Sequence, residues 1–188
     1  MNRSRSLRLL VGVAAVVAPV LHSLTDVMEW VQGGFSATQL WLNYLAFLPM
    51  PWLLLGMYAL HAEELPSSAL AGAVLYGVAF TYFAHTTLYA LQSQAPDYEV
   101  LWQQLGVTYT IHGAAMVVGG LLFAASALRS RAMPRPPVLL FAIGLLVNLG
   151  LALAPAPDIL QTIGTAVRNA GIVGMGYALV SRRKDPEA

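Results

Sequence analysis

The chain has no cysteine and few charged residues, which account for only 10% of its 188 positions. Without cysteine there are no disulfides, thiol nucleophiles, thiolate metal sites or dithiol redox reactions. Soluble domains carry roughly 25% charged residues, so this composition is not that of a typical soluble domain. The basic residues are scattered and are not interleaved with aromatic side chains, so the sequence gives no support to nucleic-acid binding.

Apolar residues dominate the composition, with 57% of positions and a mean hydropathy of +0.64. Six apolar stretches are each near the ~20 residues that a helix needs to cross ~30 Å of hydrocarbon. They occupy nearly the whole chain, so we predict an all-α integral membrane protein with one domain, a bundle of six transmembrane helices over residues 1–188. The predicted helices cover residues 7–31, 38–61, 69–92, 106–128, 137–155 and 159–181.

The first apolar stretch resembles a signal peptide in length, because its uninterrupted part runs only from Leu9 to Leu21. No small-x-small cleavage motif follows it, so we expect it to be retained as a helix. To cross the bilayer, the helix must then continue beyond Leu21. This extension brings His22 and Asp26 into the membrane.

The positions of the ten basic residues predict the orientation of the bundle. Nine of them lie near the two termini or between the fourth and fifth helices: Arg3, Arg5, Arg8, Arg129, Arg131, Arg135, Arg182, Arg183 and Lys184. These regions share one side of a six-helix bundle, and basic residues favour the cytoplasmic side. We therefore predict a multi-pass protein of the plasma (inner) membrane with both termini in the cytoplasm. His61, Glu63 and Glu64 are expected to be solvated on that side.

The tenth basic residue, Arg168, lies inside the sixth helix, at a depth shared by other ionisable residues. At ~1.5 Å per residue from the predicted cytoplasmic edges, Arg168 and His22 are about 21 Å up, and His85 and His112 about 25 Å. Asp26 lies just above them, at about 27 Å. Ionisable groups inside a bilayer are costly and indicate functional sites. We predict that these five residues surround a polar pocket that opens to the exterior.

Helical spacing predicts that four helices carry polar stripes that face this pocket. His22 shares a helical face with Asp26 and Glu29, and Arg168 shares one with Gln161. The third helix contributes Tyr82, His85 and Tyr89, and the fourth contributes Thr108 and His112. Asn43 on the second helix joins them by its depth, about 27 Å.

The leading functional hypothesis is an acid–base enzyme that acts on a lipidic or isoprenoid substrate. Such a pocket can be reached sideways by an amphiphile, and proton transfer requires no cofactor. The expected partners are the bilayer and a lipid-like small molecule, and Arg168 would bind an anionic head group or steady a carboxylate. The candidate catalytic residues are His22, Asp26, His85 and His112; the candidate ligand-binding residues are Arg168, Asn43, Tyr82, Tyr89, Gln161, Thr108 and Glu29.

The sequence leaves two other classes of function open. In the first, His22, His85 and His112 hold a divalent metal, or His85 and His112 hold a haem whose propionates meet Arg168, as in a membrane oxidoreductase. No metal-binding motif supports that hypothesis. In the second, the protein is a non-enzymatic sensor or a subunit of a membrane complex, and Arg168 pairs with Asp26 as a structural salt bridge.

Overall fold

The computed structural model describes residues 3–153 and 158–181, which form eight α-helical segments. α2 and α3 are two halves of one interrupted rod, so the described chain has seven rods. The segments are α1 Arg3–Gln32, α2 Ala37–Phe47, α3 Met50–Leu60, α4 Ser67–Ser93, α5 Tyr98–Leu105, α6 Val107–Ser130, α7 Arg135–Ala152 and α8 Asp158–Ser181.

The rod made by α2 and α3 is interrupted by two prolines. Proline has no backbone N–H, so Pro49 and Pro51 cannot donate to the carbonyl groups one turn earlier. α2 therefore ends at Phe47, and α3 resumes at Met50. The two halves together are still 24 residues long, enough to cross a bilayer.

α5 is a short helix that apolar run length did not predict. Its eight residues are capped at the start by Asp97, whose side chain accepts a hydrogen bond from the backbone N of Val100 at 2.9 Å. Gly106 ends it with a φ of 57°, a left-handed conformation that glycine adopts without strain. Only Leu101 of this helix is buried, so α5 lies over the rest of the fold and is not part of its core.

The long rods pack in a ring. α1 contacts the α2–α3 rod, which contacts α4, and α4 in turn packs along α6. α7 then joins α6 to α8, and α8 closes the ring by packing along α1. Close approach at the α4–α6 seam depends on Gly72 and Gly119, because a Cβ on either would lie within 2.7 Å of the other's carbonyl oxygen. A dense aromatic core follows, with Tyr76, Phe80, Phe123 and Phe141 almost fully buried.

Within residues 3–153 and 158–181, five helices are long and apolar enough to cross a membrane, so this is a multi-pass helical membrane protein. They are Arg5–Gln32, Ala37–Leu60, Ser67–Ser93, Val107–Ser130 and Arg135–Ala152. Their outer faces carry exposed aliphatic side chains, such as Val13, Val17 and Leu24 on α1, which suit contact with lipid tails. α8 is also 24 residues long but is not among the five.

The six predicted helical ranges each correspond to observed helix, with ends that differ by a few residues. One local expectation was wrong. His61 is buried, whereas the sequence placed it in solvent with Glu63 and Glu64, which are exposed. The predicted end of the fifth helix at residues 154–155 and the basic residues Arg182, Arg183 and Lys184 lie outside the described residues.

Candidate functional site

The candidate site begins on α1, where His22 and Asp26 are one helical turn apart. Nε2 of His22 lies 3.3 Å from Oδ1 of Asp26. The histidine side chain is 9% exposed and the aspartate side chain is 18% exposed, so the carboxylate lies at the more accessible end of the pair. The ring of Phe47 packs edge-on against His22, with the ring centroids 4.7 Å apart.

α8 contributes Arg168 and Asn169, which are adjacent in sequence and both buried. Nη2 of Arg168 lies 3.3 Å from Nδ1 of His22, and Nδ2 of Asn169 lies 3.4 Å from the same atom. The amide oxygen of Asn169 accepts from Nε and Nη2 of Arg168, each at 3.3 Å. Its Nδ2 donates to Oγ of Ser23 at 2.9 Å and to the carbonyl oxygen of Pro19 at 3.2 Å. Asn169 thus joins the arginine to the backbone of α1.

These contacts determine the tautomer of His22. Arg168 remains charged and can only donate hydrogen bonds, and the amide nitrogen of Asn169 is also a donor. Nδ1 of His22 must therefore accept, so the ring's proton is on Nε2, next to the Asp26 carboxylate. The imidazole is neutral in this arrangement. It lies between a positive guanidinium on one side and a negative carboxylate on the other, which gives the three residues no net charge.

The other contacts of the Arg168 side chain are with a methionine sulfur and an aromatic ring. Nη1 lies 3.3 Å from Sδ of Met116 on α6, and the guanidinium carbon lies 5.6 Å from the ring centroid of Phe80 on α4. Because Gly144 on α7 has no side chain, the backbone of α8 can approach closely, and a methyl group there would overlap the backbone N of Arg168. Three neighbouring helices therefore position the arginine.

A second polar layer connects α1 to α2. The hydroxyl of Thr25 donates to the carbonyl oxygen of His22 at 2.7 Å and also lies 3.2 Å from Oδ1 of Asn43. Nε2 of the fully buried Gln39 lies 3.5 Å from the carbonyl oxygen of Thr25. Oε1 of Gln39 has no hydrogen-bond partner among the described residues. This layer places Asn43, a predicted site residue, beside His22. We call the connected side chains the His22 network: His22, Ser23, Thr25, Asp26, Gln39, Asn43, Arg168 and Asn169.

His85 and His112 lie in a different environment. His85 is exposed, and His112 is half-buried, with its Nδ1 2.8 Å from the carbonyl oxygen of Thr108 on its own helix. The ring of Tyr82 stacks on His112, with centroids 3.8 Å apart, and also lies near His85. In the described part of the chain, no hydrogen bond, ion pair or ring contact joins these two histidines to His22 or Arg168.

The remaining predicted site residues are half-buried and lie around these two groups. Glu29 follows Asp26 by about one turn on α1, Tyr89 packs near Leu40, Ala90 and Leu101, and Gln161 lies on α8. Asn148 on α7 donates to Thr165 on α8 at 3.1 Å. None of these contacts extends the His22 network, so the place of Glu29, Tyr89 and Gln161 in a binding site stays a prediction.

Sequence reasoning missed four polar side chains of the network: Ser23, Thr25, Gln39 and Asn169. Thr25 lies three residues after His22 and therefore on the same helical face, a signal that spacing could have revealed. Asn169 follows Arg168 directly and was hidden because adjacent helical residues usually point in different directions. Gln39 sits near the start of α2, where solvent exposure is the ordinary expectation.

The chain matches no family model, no curated protein and no solved structure. The chemistry of the site must therefore be inferred from its own residues. Among residues 3–153 and 158–181, no group of three His, Cys, Asp or Glu side chains could hold a metal ion. The site's own groups offer a carboxylate that can accept a proton, an imidazole N–H that hydrogen-bonds to that carboxylate, and a fixed positive charge.

Proposed function

We propose that the protein is an acid–base enzyme of the membrane, with the Asp26 carboxylate exchanging a proton with a lipid-like substrate and His22 orienting that carboxylate. The observation that carries the proposal is the alignment of Asp26, His22 and Arg168, in which the N–H at Nε2 of His22 lies against the Asp26 carboxylate and Arg168 covers Nδ1. Of these three groups, the carboxylate is the one that can take a proton from a substrate and return it.

The exposure of the pair supports a role for Asp26 at the substrate. Its side chain is twice as exposed as that of His22, 18% against 9%. General acid–base catalysis needs a group that can reach the substrate and exchange a proton with it. Asp26 supplies that group, and the N–H at Nε2 of His22 hydrogen-bonds to its carboxylate and orients it.

An apolar groove beside α1 supports a lipid-like substrate. Its volume is about 630 Å³, and it is lined by α1 residues from Ser6 to Leu21 together with Leu45 and Pro49. That stretch of α1 is about 22 Å long, enough for an extended hydrocarbon chain. The groove ends at Leu21, the residue before His22. A chain lying in it would place its polar end close to the His22–Asp26 pair.

We further propose that α8 is the sixth span and that both termini are cytoplasmic, in the plasma membrane. α8 closes the ring between α1 and α7, and its least membrane-compatible side chains, Arg168 and Asn169, are 3% and 1% exposed. With those two groups hidden from lipid, a 24-residue helix can cross the bilayer. The cytoplasmic assignment is supported by the basic residues described above.

Solvent labelling tests the enzymatic proposal without knowledge of the substrate. The purified protein is incubated in D₂O containing H₂¹⁸O with mixed membrane lipids and a long-chain isoprenoid phosphate, and the lipids are examined by mass spectrometry. Isomerisation or cyclisation incorporates deuterium at carbon, and hydrolysis incorporates ¹⁸O. We expect Asp26→Asn to lower labelling by about 10²-fold or more. Glu63→Gln, at an exposed loop carboxylate, is the matched control and should label like wild type.

Equal labelling by wild type and Asp26→Asn would overturn the proposal. His85→Ala and His112→Ala belong in the same assay, because their predicted catalytic role does not follow from the His22 network. We expect both to retain wild-type labelling.

A non-enzymatic role is the second candidate, favoured by the number of contacts that join α1 to α8. Asn169 alone contacts Pro19, His22 and Ser23. If the network only holds these helices together within a sensor or a complex subunit, the wild type and Asp26→Asn will both show background labelling. Arg168→Met will then still destabilise the bundle.

A further inference from the structure

A small cavity lies where α3, α8 and the connection between α6 and α7 meet. Its volume is about 10 Å³, close to the space that one water-sized sphere occupies. Four of its lining residues carry a donor sulfur or nitrogen: Met57, His61, Met133 and Met175. We call these four residues the Met–His cluster. Its members come from three separate segments of the chain and are all buried, with exposures of 0% to 6%.

The protonation of the His61 ring is fixed by its own helix. Nδ1 lies 3.0 Å from the carbonyl oxygen of Met57, one turn earlier on α3. A carbonyl oxygen can only accept, so Nδ1 carries the proton, and Nε2 of the neutral ring keeps its lone pair. Metal-binding histidines characteristically donate their other ring N–H to a backbone carbonyl or a carboxylate in this way. The ring that lines the cavity is therefore prepared to act as a ligand through Nε2.

The donor set selects a particular class of metal. Three thioethers and one neutral imidazole are soft and carry no charge. Calcium and magnesium require oxygen ligands, and structural zinc sites use thiolates, histidines or carboxylates. Thioether ligands select Cu(I) among the biological metals. Burying a monovalent ion among uncharged ligands also costs less than burying a divalent one, because the cost of transferring an ion from water rises steeply with its charge.

The backbone brings the four residues to one cavity. Met57 and His61 are i and i+4 on α3 and so share one face. Met133 lies two residues after Arg131, whose φ of 60° turns the chain sharply after α6, and it directly precedes Pro134, the N-cap residue of α7. Met175 lies on α8, about two turns beyond Arg168. Methionine also fills irregular gaps in cores, but simple packing does not require a histidine with a free lone pair in the same cavity.

We infer that the Met–His cluster is a binding site for Cu(I). The site is separate from the His22 network and does not depend on the proposed enzymatic function.

Methyl NMR with Ag(I), a redox-stable analogue of Cu(I), tests the site in the unmodified chain. The protein contains seven methionines, and ¹³C-methyl labelling gives one signal for each. One equivalent of Ag(I) should shift the signals of Met57, Met133 and Met175 and leave those of Met50 and Met116 in place. Single Met→Leu changes assign the signals, because leucine conserves side-chain volume closely enough to keep the fold.

A competition titration measures affinity for Cu(I) itself. Anaerobic protein is titrated against the coloured Cu(I) complex of bicinchoninate, and the loss of colour reports transfer to the protein. We expect one equivalent to transfer, with affinity about 10-fold or more weaker in Met133→Leu and in His61→Ala. Met50→Leu, a fully buried methionine outside the cluster, is the matched control and should bind like wild type.

Three results would overturn the inference: no transfer of Cu(I) from bicinchoninate, Ag(I) shifts confined to other methionines, or equal affinity in Met133→Leu and Met50→Leu. The number of methionine signals that Ag(I) shifts, three of seven, is counted in the wild-type chain, so a variant that fails to fold does not prevent this decision.

Discussion

Two buried histidines of this chain, His22 and His61, are held in opposite tautomers. They are almost equally buried, with exposures of 7% and 6%. At His22, donors from α8 face Nδ1, so the proton is on Nε2, next to Asp26. At His61, a carbonyl oxygen faces Nδ1, so the proton is on Nδ1. Burial therefore does not determine what each ring can do; the donors and acceptors around it do.

The surroundings of the two rings also differ. His22 contacts a carboxylate, a guanidinium and an amide, which suits a role in a polar site and in helix association. His61 has one hydrogen bond on its own helix and lines a cavity with three methionines, which suits a soft metal ion. The most useful perturbations change one of these surroundings and leave the other intact.

Removing the Arg168 guanidinium should have the largest effect on stability. It disrupts the contacts of His22 and leaves those of His61 intact. Arg168→Met leaves the Asp26 carboxylate without its compensating charge and should lower the free energy of unfolding by about 3 kcal/mol. Denaturant titration of the detergent-solubilised protein, followed by circular dichroism, measures this loss. Arg129→Met, at an exposed arginine, should change stability by less than about 0.5 kcal/mol. Similar losses in the two variants would contradict the account.

Replacing each histidine by leucine compares the two rings directly. His22→Leu leaves the buried donors of Arg168 and Asn169 without their shared acceptor, and we expect a loss of about 2–3 kcal/mol. His61→Leu removes one hydrogen bond and adds an apolar side chain among methionines, so about 1 kcal/mol should be lost. The same denaturant titration ranks the two. A larger loss for His61→Leu would show that the contacts of His22 contribute little.

A methyl group added at Gly144 on α7 should disturb the contacts of His22 indirectly, by displacing Arg168. Gly144→Ala forces α7 away from the Arg168 backbone and should cost about 2 kcal/mol through overpacking. Gly150→Ala lies on the same helix, where a Cβ would meet no atom within 4 Å, and should be neutral or slightly stabilising. The pair shows whether helix spacing positions the arginine. Equal stability of the two variants would exclude that role for Gly144.

The sequence predicted the helices well because the bilayer sets their length. Six apolar runs of the right size each correspond to observed helix. α5 was missed because its eight residues are too short for that signal, although Asp97 is a recognisable cap. The hydropathy of α8 does not identify it as a membrane span, because Arg168 and Asn169 lower that hydropathy. Only the packing of the helices shows that these two side chains are buried.

The sequence predicted the site only in part. Depth along the helices placed Arg168 level with His22, and the two are in contact. Depth also placed His85 and His112 near that level, but it does not specify the direction in which a side chain leaves its helix. His85 leaves toward the outside and is exposed. The burial of His61 could not be predicted, because it depends on Met133 and Met175 from distant parts of the chain.

The most direct test of the central claim is the tautomeric state of the two rings. Protein labelled with ¹⁵N-histidine and reconstituted in lipid bilayers at neutral pH gives separate nitrogen signals, which His22→Leu and His61→Leu assign. The account predicts a protonated Nε2 and a bare Nδ1 in His22, with the reverse in His61. The same tautomer in both rings, or a doubly protonated His22, would contradict it.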